Sequence, residues 1–175
     1  DPREGMIQAR LVRERCRELG VLCIVNDDWR LATIIDADGV HLGKDDGNIA
    51  QVRTALGADK LIGSSCYDNL DRARQAIEGG VDYIAFGAVY PSSIKPEAVH
   101  AGPDVIRAGR ELAEAHGRRS ADQTRPAVVA IGGITPDNAA AIIQAGADSI
   151  ALITGLFGAA DIRAAASRCQ ALFLD

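Results

Sequence analysis

The sequence predicts an α/β protein, a (β/α)8 barrel of the TIM type from which the first two strands are absent. Short apolar runs alternate with helix-like segments, and most runs begin roughly 20 residues apart, which is typical of βα units around a parallel sheet. Polar or glycine-rich segments follow nearly every run, as they do at the functional rim of a barrel. Six runs also fit an open doubly wound sheet, but this distribution of polar residues favours the barrel.

Strands are predicted over residues 21–26, 39–43, 61–65, 83–87, 128–132 and 149–153, because these runs are apolar on both faces, as buried parallel strands are. Helices are predicted over residues 4–19, 49–56, 70–78, 103–116, 136–144 and 162–172. We interpret the first helix as the one that follows a barrel's second strand, so residues 1–175 are expected to form a single barrel domain, incomplete at its N-terminus. The polar stretch 117–125 is expected to be a mobile surface insertion on the face away from the chemistry.

A short repeat favours one repeated architecture. Asp38, Asp82 and Asp148 each stand just before a predicted strand, and the last two follow Gly80 and Gly146. Glycine at the end of a helix suits the left-handed backbone that is wanted there. Use of the same turn three times supports the barrel.

Composition narrows the classes of function. The chain is 47% hydrophobic and 25% charged, which is typical of a globular domain. A net charge of −5 argues against general nucleic-acid binding, and no apolar run approaches the roughly 18 residues that a membrane span needs. The spacing of the four cysteines matches neither a zinc site nor a small disulfide scaffold, so reduced thiols in a cytoplasmic protein are expected. The composition is compatible with a homo-oligomer.

Two acidic clusters are the most informative feature of the chain. Asp27 and Asp28 directly follow the first predicted strand, and Asp46 lies in the loop after the second. Neighbouring parallel strands would bring Asp27 and Asp46 to the same rim, where two carboxylates repel each other unless a cation lies between them. Mg²⁺ bound by one or two carboxylates together with substrate phosphates fits this arrangement. The alternative is that these aspartates only cap the following helices.

Two consecutive loops have the composition of phosphate sites. Gly132 ends the fifth predicted strand and Gly133 follows it, and glycine there lets backbone N–H groups approach an anion closely. Thr154 and Gly155 follow the sixth strand and are expected to begin a short helix that faces the same anion. In barrels, phosphate often binds at the loops after the last two strands. The alternative is glycine-rich turn chemistry alone.

The remaining polar candidates come from three other segments. The loop after the fourth strand carries Ser92, Ser93 and Lys95, and a lysine is a suitable point charge for a diphosphate. Ser65 ends the third strand without the motif of a serine nucleophile. His41 lies in the second strand, where alternation leaves two interpretations, a position in the interior near a ligand or a satisfied core histidine.

Six segments together resemble the thiamine phosphate synthase family. In chain order they are residues 24–28 (IVNDD), 39–46 (GVHLGKDD), 62–66 (IGSSC), 82–87 (DYIAFG), 91–96 (PSSIKP) and 130–135 (AIGGIT). Each alone is weakly specific, but all six stand in the family's order. The resemblance implies a (β/α)8 barrel and a Mg²⁺-dependent transferase. Its small-molecule substrates would be hydroxymethylpyrimidine diphosphate and hydroxyethylthiazole phosphate, and its products thiamine phosphate and pyrophosphate.

The resemblance also implies roles for individual residues. Asp27 and Asp46 would hold Mg²⁺ and Lys95 would contact the diphosphate, which makes these three the catalytic residues. Ser65 would contact the pyrimidine. The other substrate-binding positions are Asn26 and His41 in the lining of the site, Ser92 and Ser93 as phosphate hydroxyls, and Gly132, Gly133, Thr154 and Gly155 at the thiazole phosphate.

Two departures from the family pattern bear on activity. The family's Gln-x-Arg-x-Lys strand, which helps to bind the pyrimidine and the diphosphate, is missing upstream of Asp1. Either the natural protein has this strand or the chain cannot catalyse. Ile94 stands where the family usually has threonine, which removes a phosphate hydrogen bond worth about 1.5–3 kcal/mol.

Three other functions fit part of the pattern. A relative that isomerises a thiazole phosphate needs no metal, so the paired acidic loops argue against it. Another phosphate-binding barrel, such as a sugar-phosphate epimerase or a tryptophan-pathway enzyme, is not expected to carry the sequence Asn26-Asp27-Asp28. A non-catalytic barrel that binds a phosphate ligand is suggested by the missing strands.

Overall fold

The computed structural model describes residues 2–91, 100–118 and 124–174 of the chain. Its strands are β1 (Ile24–Asn26), β2 (Gly39–Leu42), β3 (Leu61–Tyr67), β4 (Tyr83–Phe86), β5 (Ala127–Ile131) and β6 (Ser149–Ala151). Its helices are α1 (Pro2–Leu19), α2 (Trp29–Ile34), α3 (Ile49–Leu56), α4 (Leu70–Glu78), α5 (Pro103–Gly117), α6 (Ala139–Gln144), α7 (Thr154–Phe157) and α8 (Ile162–Ala171). Each predicted strand and helix is present, with ends that differ by a few residues. None of the described helices is long and apolar enough to cross a membrane.

The strands form one parallel sheet in the order in which they occur along the chain, from β1 to β6. A doubly wound sheet reverses its strand order at a switch point, so this order excludes the alternative that the sequence left open. The six predicted parallel strands are confirmed. The closed eight-stranded barrel is not, because in the described residues β1 and β6 are the two edges of an open, curled sheet.

Two helices differ from the sequence prediction. The sequence prediction gives no bounds for α2, a six-residue helix that begins where the Asp28 side chain accepts a backbone N–H of its first turn (2.9 Å). Helix α6 begins at Ala139 and not at residue 136. Asn138 explains the later start, because its side chain accepts the Thr135 N–H (2.8 Å) and donates to the Gly133 carbonyl (3.1 Å), which holds these residues in a loop.

Successive side chains along each strand point to opposite faces of the sheet. One face is buried against the helices in a single apolar cluster, to which the strands contribute Val40, Leu42, Ile62, Ile84, Phe86, Val128 and Ala130. The opposite face carries the half-buried side chains of His41, Ser65 and Tyr83. The prediction that the strands are apolar on both faces is therefore wrong for the central strands. One face builds the core, and the other is available for a site.

The predicted aspartate repeat anchors the N-terminal ends of the strands. Asp38, Asp82 and Asp148 directly precede β2, β4 and β6, and each carboxylate accepts a backbone N–H from the start of the neighbouring strand segment. Each also pairs with arginine. The pairs are Arg13–Asp38 (3.2 Å), Arg53–Asp82 (2.6 Å), Arg110–Asp148 (2.7 Å) and Arg125–Asp148 (2.7 Å). Arg125, from the predicted surface insertion, thus has a structural role, whereas residues 119–123 of that insertion lie outside the described residues.

Asp148→Asn is expected to lower the free energy of unfolding at pH 7 by about 1.5–3 kcal/mol, because it removes the charge shared by two arginines. Burial raises the pKa of Asp148, but the Arg125 hydrogen bond and the Val128 N–H outweigh it and hold the pKa below its ordinary value. A lowered pKa stabilises the folded state above the unfolded-state pKa of about 3.9 and loses that effect as the pH falls through the folded-state pKa. Chemical denaturation at several pH values should therefore show the difference between the two proteins shrinking below about pH 4.

The matched control is Asp104→Asn, which breaks an exposed pair with Arg107 on the surface of α5. Exposed pairs contribute little to stability, so this variant should unfold like the parent chain. Equal stability of the Asp148 and Asp104 variants would contradict the anchoring role of the repeat.

Candidate active site at the carboxyl ends of the strands

Three side chains form a hydrogen-bonded group on the inner face of the sheet. The His41 ring lies between two hydroxyls, with Nε2 2.8 Å from Ser65 Oγ and Nδ1 3.1 Å from Tyr83 Oη. The His41 and Tyr83 rings are stacked, with centroids 5.6 Å apart and planes at 18°. The His41 ring therefore faces the interior of the curled sheet with a partner for each ring nitrogen, and its position next to a ligand stays a prediction.

Strand register explains how this group forms. His41, Gly63 and Tyr83 are register partners on the adjacent strands β2, β3 and β4. A Cβ atom on Gly63 would lie 1.9 Å from Tyr83 Cζ, so the tyrosine ring occupies the space that a side chain at residue 63 would need. Ser65 lies two residues further along β3 and therefore faces the same side of the sheet. The missing side chain of Gly63 lets Tyr83 reach His41.

Burial determines the protonation states in this group. It lowers the pKa of His41, although the nearby Asp46 carboxylate acts in the opposite direction. Burial also raises the pKa of Tyr83 to about 12, and the Asp82 charge adds to the rise. A histidine whose pKa lies below its ordinary value is neutral at pH 7, and the phenol keeps its hydrogen. The group therefore acts through neutral hydrogen bonds.

The structure gives the two consecutive aspartates different surroundings. Asp28 caps α2, so the capping interpretation holds for this residue. Asp27 is exposed at the carboxyl end of β1 with a φ of 67°, and its N–H donates to the His41 carbonyl (2.8 Å). A left-handed backbone is uncommon outside glycine, although asparagine and aspartate adopt it more readily than other residues. The backbone at Asp27 is thus set by the end of the strand and by β2, and not by a helix.

Asp46 lies on the same rim. One of its carboxylate oxygens accepts the Gly43 N–H (2.7 Å), which orders the loop after β2. Asn26 and His41 are register partners, so Asp27 and Asp46 follow adjacent strands. Mg²⁺ is usually bound by one or two carboxylates with water and substrate phosphates, so this pair has the chemistry of a magnesium site. No group of three or more His, Cys, Asp or Glu side chains that can hold a metal ion occurs in the described ranges.

The glycine turn after β5 has a backbone that only glycine adopts easily. Gly132 and Gly133 have φ values of 88° and 66°. A Cβ atom on Gly133 would lie 2.5 Å from the Tyr90 carbonyl oxygen and 2.6 Å from that of Pro91. The loops after β4 and β5 are therefore in backbone contact, and residue 133 has no room for a side chain.

The short helix predicted after β6 is confirmed as α7, which begins at Thr154. Gly155 packs against the preceding loop so closely that a Cβ atom would lie 2.1 Å from the Ile134 carbonyl oxygen. The loops after β4, β5 and β6 thus adjoin one another at the rim that also carries the carboxyl ends of β1 and β2. The predicted site residues Ser92, Ser93 and Lys95, and Ile94 between them, lie outside the described residues.

Sequence reasoning assigned no function to Tyr83 or Gly63. The sequence feature that could have indicated their contact is Gly63, two residues before Ser65, together with an aromatic residue at the start of the next strand. That feature has meaning only when the register of β2, β3 and β4 is known, because it depends on a contact across three strands.

Comparison with known proteins gives a consistent result. A family model described as thiamine monophosphate synthase matches residues 1–156. The thiamine-phosphate synthase of Bordetella avium is 55% identical over 170 residues, which cover 97% of this chain and 76% of that protein. The thiamine-phosphate synthase of Bordetella bronchiseptica is 52% identical over 174 residues, which cover 99% of this chain and 77% of that protein.

Solved structures agree with the sequence comparison. The thiamine phosphate pyrophosphorylase from Pyrococcus furiosus superposes with a TM-score of 0.83 at 32% identity, over 99% of this chain and 78% of that chain. Orotidine 5′-phosphate decarboxylase from Pyrococcus horikoshii gives a TM-score of 0.62 at 17% identity, over 95% of this chain and 81% of that chain. The second likeness concerns the fold alone.

Proposed function

The chain belongs to the thiamine monophosphate synthase family, and we propose that it couples hydroxymethylpyrimidine diphosphate to hydroxyethylthiazole phosphate. The observation that carries this proposal is 55% identity to a thiamine-phosphate synthase across 97% of the chain. In the reaction, the thiazole nitrogen forms a bond to the methylene carbon of the pyrimidine, and the bond from that carbon to the diphosphate oxygen breaks. Thiamine phosphate and pyrophosphate are the products. No protein nucleophile takes part, so the chain's main contribution is to position two substrates.

Asp27 and Asp46 are the residues that we assign to Mg²⁺. Two observations support this assignment. The two carboxylates, which are hard oxygen ligands, follow adjacent strands, and the Gly43 N–H donates to the Asp46 carboxylate. When bound, Mg²⁺ would neutralise part of the charge that develops on pyrophosphate as it leaves. Asp27 and Asp46 would also keep the diphosphate at the rim, next to the end of the strand that carries His41.

The two substrates are assigned to opposite sides of the rim. Asn26, His41 and Ser65 are proposed to face the pyrimidine, since the last two form a polar group on the inner face of the sheet. The thiazole phosphate is assigned to the adjoining loops after β5 and β6, which contain Gly132, Gly133, Thr154 and Gly155.

The loop after β4 is assigned to the same diphosphate that Asp27 and Asp46 would hold through Mg²⁺. Lys95 would stabilise the negative charge on the leaving pyrophosphate, and Ser92 or Ser93 would supply the hydroxyl that Ile94 lacks. The support for these three assignments is the sequence match alone.

The same family assignment favours a (β/α)8 barrel, and the sequential strand order supports it. A cytoplasmic location remains a prediction, supported by four free cysteines.

The test is product identity with both substrates and with each substrate alone, measured by liquid chromatography and mass spectrometry. It should be run on the chain as given and on a chimaera that adds the N-terminal residues of the Bordetella avium relative. Thiamine phosphate from the pair of substrates supports the proposal. A changed thiazole phosphate in the absence of the pyrimidine would indicate an isomerase. Phosphate binding by both folded proteins without any product would indicate a non-catalytic binding barrel.

A further inference from the structure

The tautomer of His41 decides which neighbouring hydroxyl donates a hydrogen bond. In the Nε2–H form, Tyr83 Oη donates to Nδ1 across 3.1 Å and Nε2 donates to Ser65 Oγ across 2.8 Å. In the Nδ1–H form both directions reverse, so Nδ1 donates to Tyr83 Oη and Ser65 Oγ donates its hydrogen to Nε2. Only the first arrangement leaves the Ser65 hydrogen available to a ligand.

The chemistry of the two hydroxyls favours the Nε2–H form. A phenol, with an ordinary pKa of about 10, is a stronger acid and a better hydrogen-bond donor than an aliphatic hydroxyl, which is the better acceptor. Within the described residues, each of the two hydroxyls has one ring nitrogen of His41 as its hydrogen-bond partner. Tyr83 therefore donates and Ser65 accepts. Bonds that all point in one direction polarise one another and strengthen the last donor.

We propose that Tyr83 is a positioning residue, whose phenol holds His41 in the Nε2–H tautomer and so directs the Ser65 hydroxyl hydrogen to an acceptor atom of the pyrimidine substrate. Ring nitrogens of an aminopyrimidine are such acceptors. The nature of this ligand rests on the proposed function, whereas the direction of the hydrogen bonds does not.

The packing around the group keeps Tyr83 within hydrogen-bond distance of His41. The space above Gly63 lets the Tyr83 ring stack on His41, and the stacked rings keep Oη close to Nδ1. The His41 carbonyl accepts the Asp27 N–H, so the histidine is also joined to the acidic rim where the diphosphate is assigned. The Ser65 hydroxyl therefore lies on the strand between that rim and Tyr83.

A double-mutant cycle tests the proposal kinetically. Tyr83→Phe keeps the stacked ring and removes only the hydroxyl. It is expected to lower kcat/KM for the pyrimidine substrate by about 3- to 10-fold, as Ser65→Ala does, with the KM for the thiazole phosphate unchanged. Because Tyr83 acts through Ser65, Tyr83→Phe should have no further effect in the Ser65→Ala background. Independent, multiplying effects of the two substitutions would overturn the proposal.

Nitrogen NMR of labelled histidine tests the tautomer directly and does not depend on activity. In the parent chain, Nδ1 of His41 should have the shift of an unprotonated, hydrogen-bonded nitrogen, and this shift should move in Tyr83→Phe. His100 and His116 are internal controls, because neither lies in the group. A protonated Nδ1 in the parent chain would overturn the proposal. If no form of the protein makes thiamine phosphate, the proposed function fails, and the NMR result still decides the role of Tyr83.

Discussion

Asp27→Asn is expected to lower Mg²⁺-dependent formation of thiamine phosphate by about 10²- to 10³-fold, the usual cost of losing one preorganised charge-stabilising group. Asparagine suits this position, because it tolerates the left-handed backbone that Asp27 adopts with a φ of 67°. The substitution therefore removes one charge and leaves the turn intact. Initial rates across a range of Mg²⁺ concentrations, with circular dichroism to verify the fold, measure the effect.

Asp28→Asn is the matched control at the next residue. The Asp28 carboxylate caps α2 by accepting the Leu31 N–H (2.9 Å), and asparagine is an equally good N-cap. This variant should retain the parent rate and the parent stability. If Asp27→Asn retained the parent rate as well, the assignment of Mg²⁺ to this rim would be wrong.

Gly133→Ala is expected to lower kcat/KM for the thiazole phosphate by at least about 10-fold, through displacement of the loop after β5. The new Cβ atom would lie 2.5 and 2.6 Å from two backbone carbonyl oxygens, which cannot move as a flexible side chain does. Overpacking of this kind costs about 1–3 kcal/mol, in addition to about 1–2 kcal/mol for alanine in a left-handed conformation. Steady-state kinetics with each substrate varied in turn, together with thermal denaturation, measures both effects.

Gly20→Ala separates the two contributions. Gly20 has a φ of 67°, almost the same as the 66° of Gly133, but a Cβ atom there meets nothing within 4 Å. The Gly20→Ala variant should therefore be less stable because of backbone strain, with unchanged kcat/KM. Equal kinetics for Gly20→Ala and Gly133→Ala would contradict the role of the glycine turn in binding the thiazole phosphate.

The parts of the fold that depend on local sequence were predictable. The bounds of α3 and α4 match the prediction, because Asn48 and Asn69 cap them and amphipathic segments follow. The aspartate repeat also has the same structural role at each position, since Asp82 and Asp148 make equivalent contacts to a neighbouring strand and to arginine. Patterns of this kind need only short-range information.

The parts of the site that depend on register were not predictable. No feature of a single strand shows that Tyr83 lies over Gly63 and reaches His41, because that contact requires the pairing of three strands. The sequence also did not show which of the two consecutive aspartates caps a helix. The structure shows that Asp28 caps α2, whereas Asp27 has a left-handed backbone.

The central claim is that the loops at the carboxyl ends of the strands form the active site of a Mg²⁺-dependent thiamine phosphate synthase. The most direct test is the rate of thiamine phosphate and pyrophosphate formation from both substrates as Mg²⁺ is titrated, and again after chelation, in the chain as given and in the chimaera. We predict equal amounts of the two products in at least one of the two proteins, a rate that saturates with Mg²⁺, and no turnover after chelation. Turnover unaffected by chelation, or none from either folded protein with Mg²⁺ and both substrates present, would contradict the account.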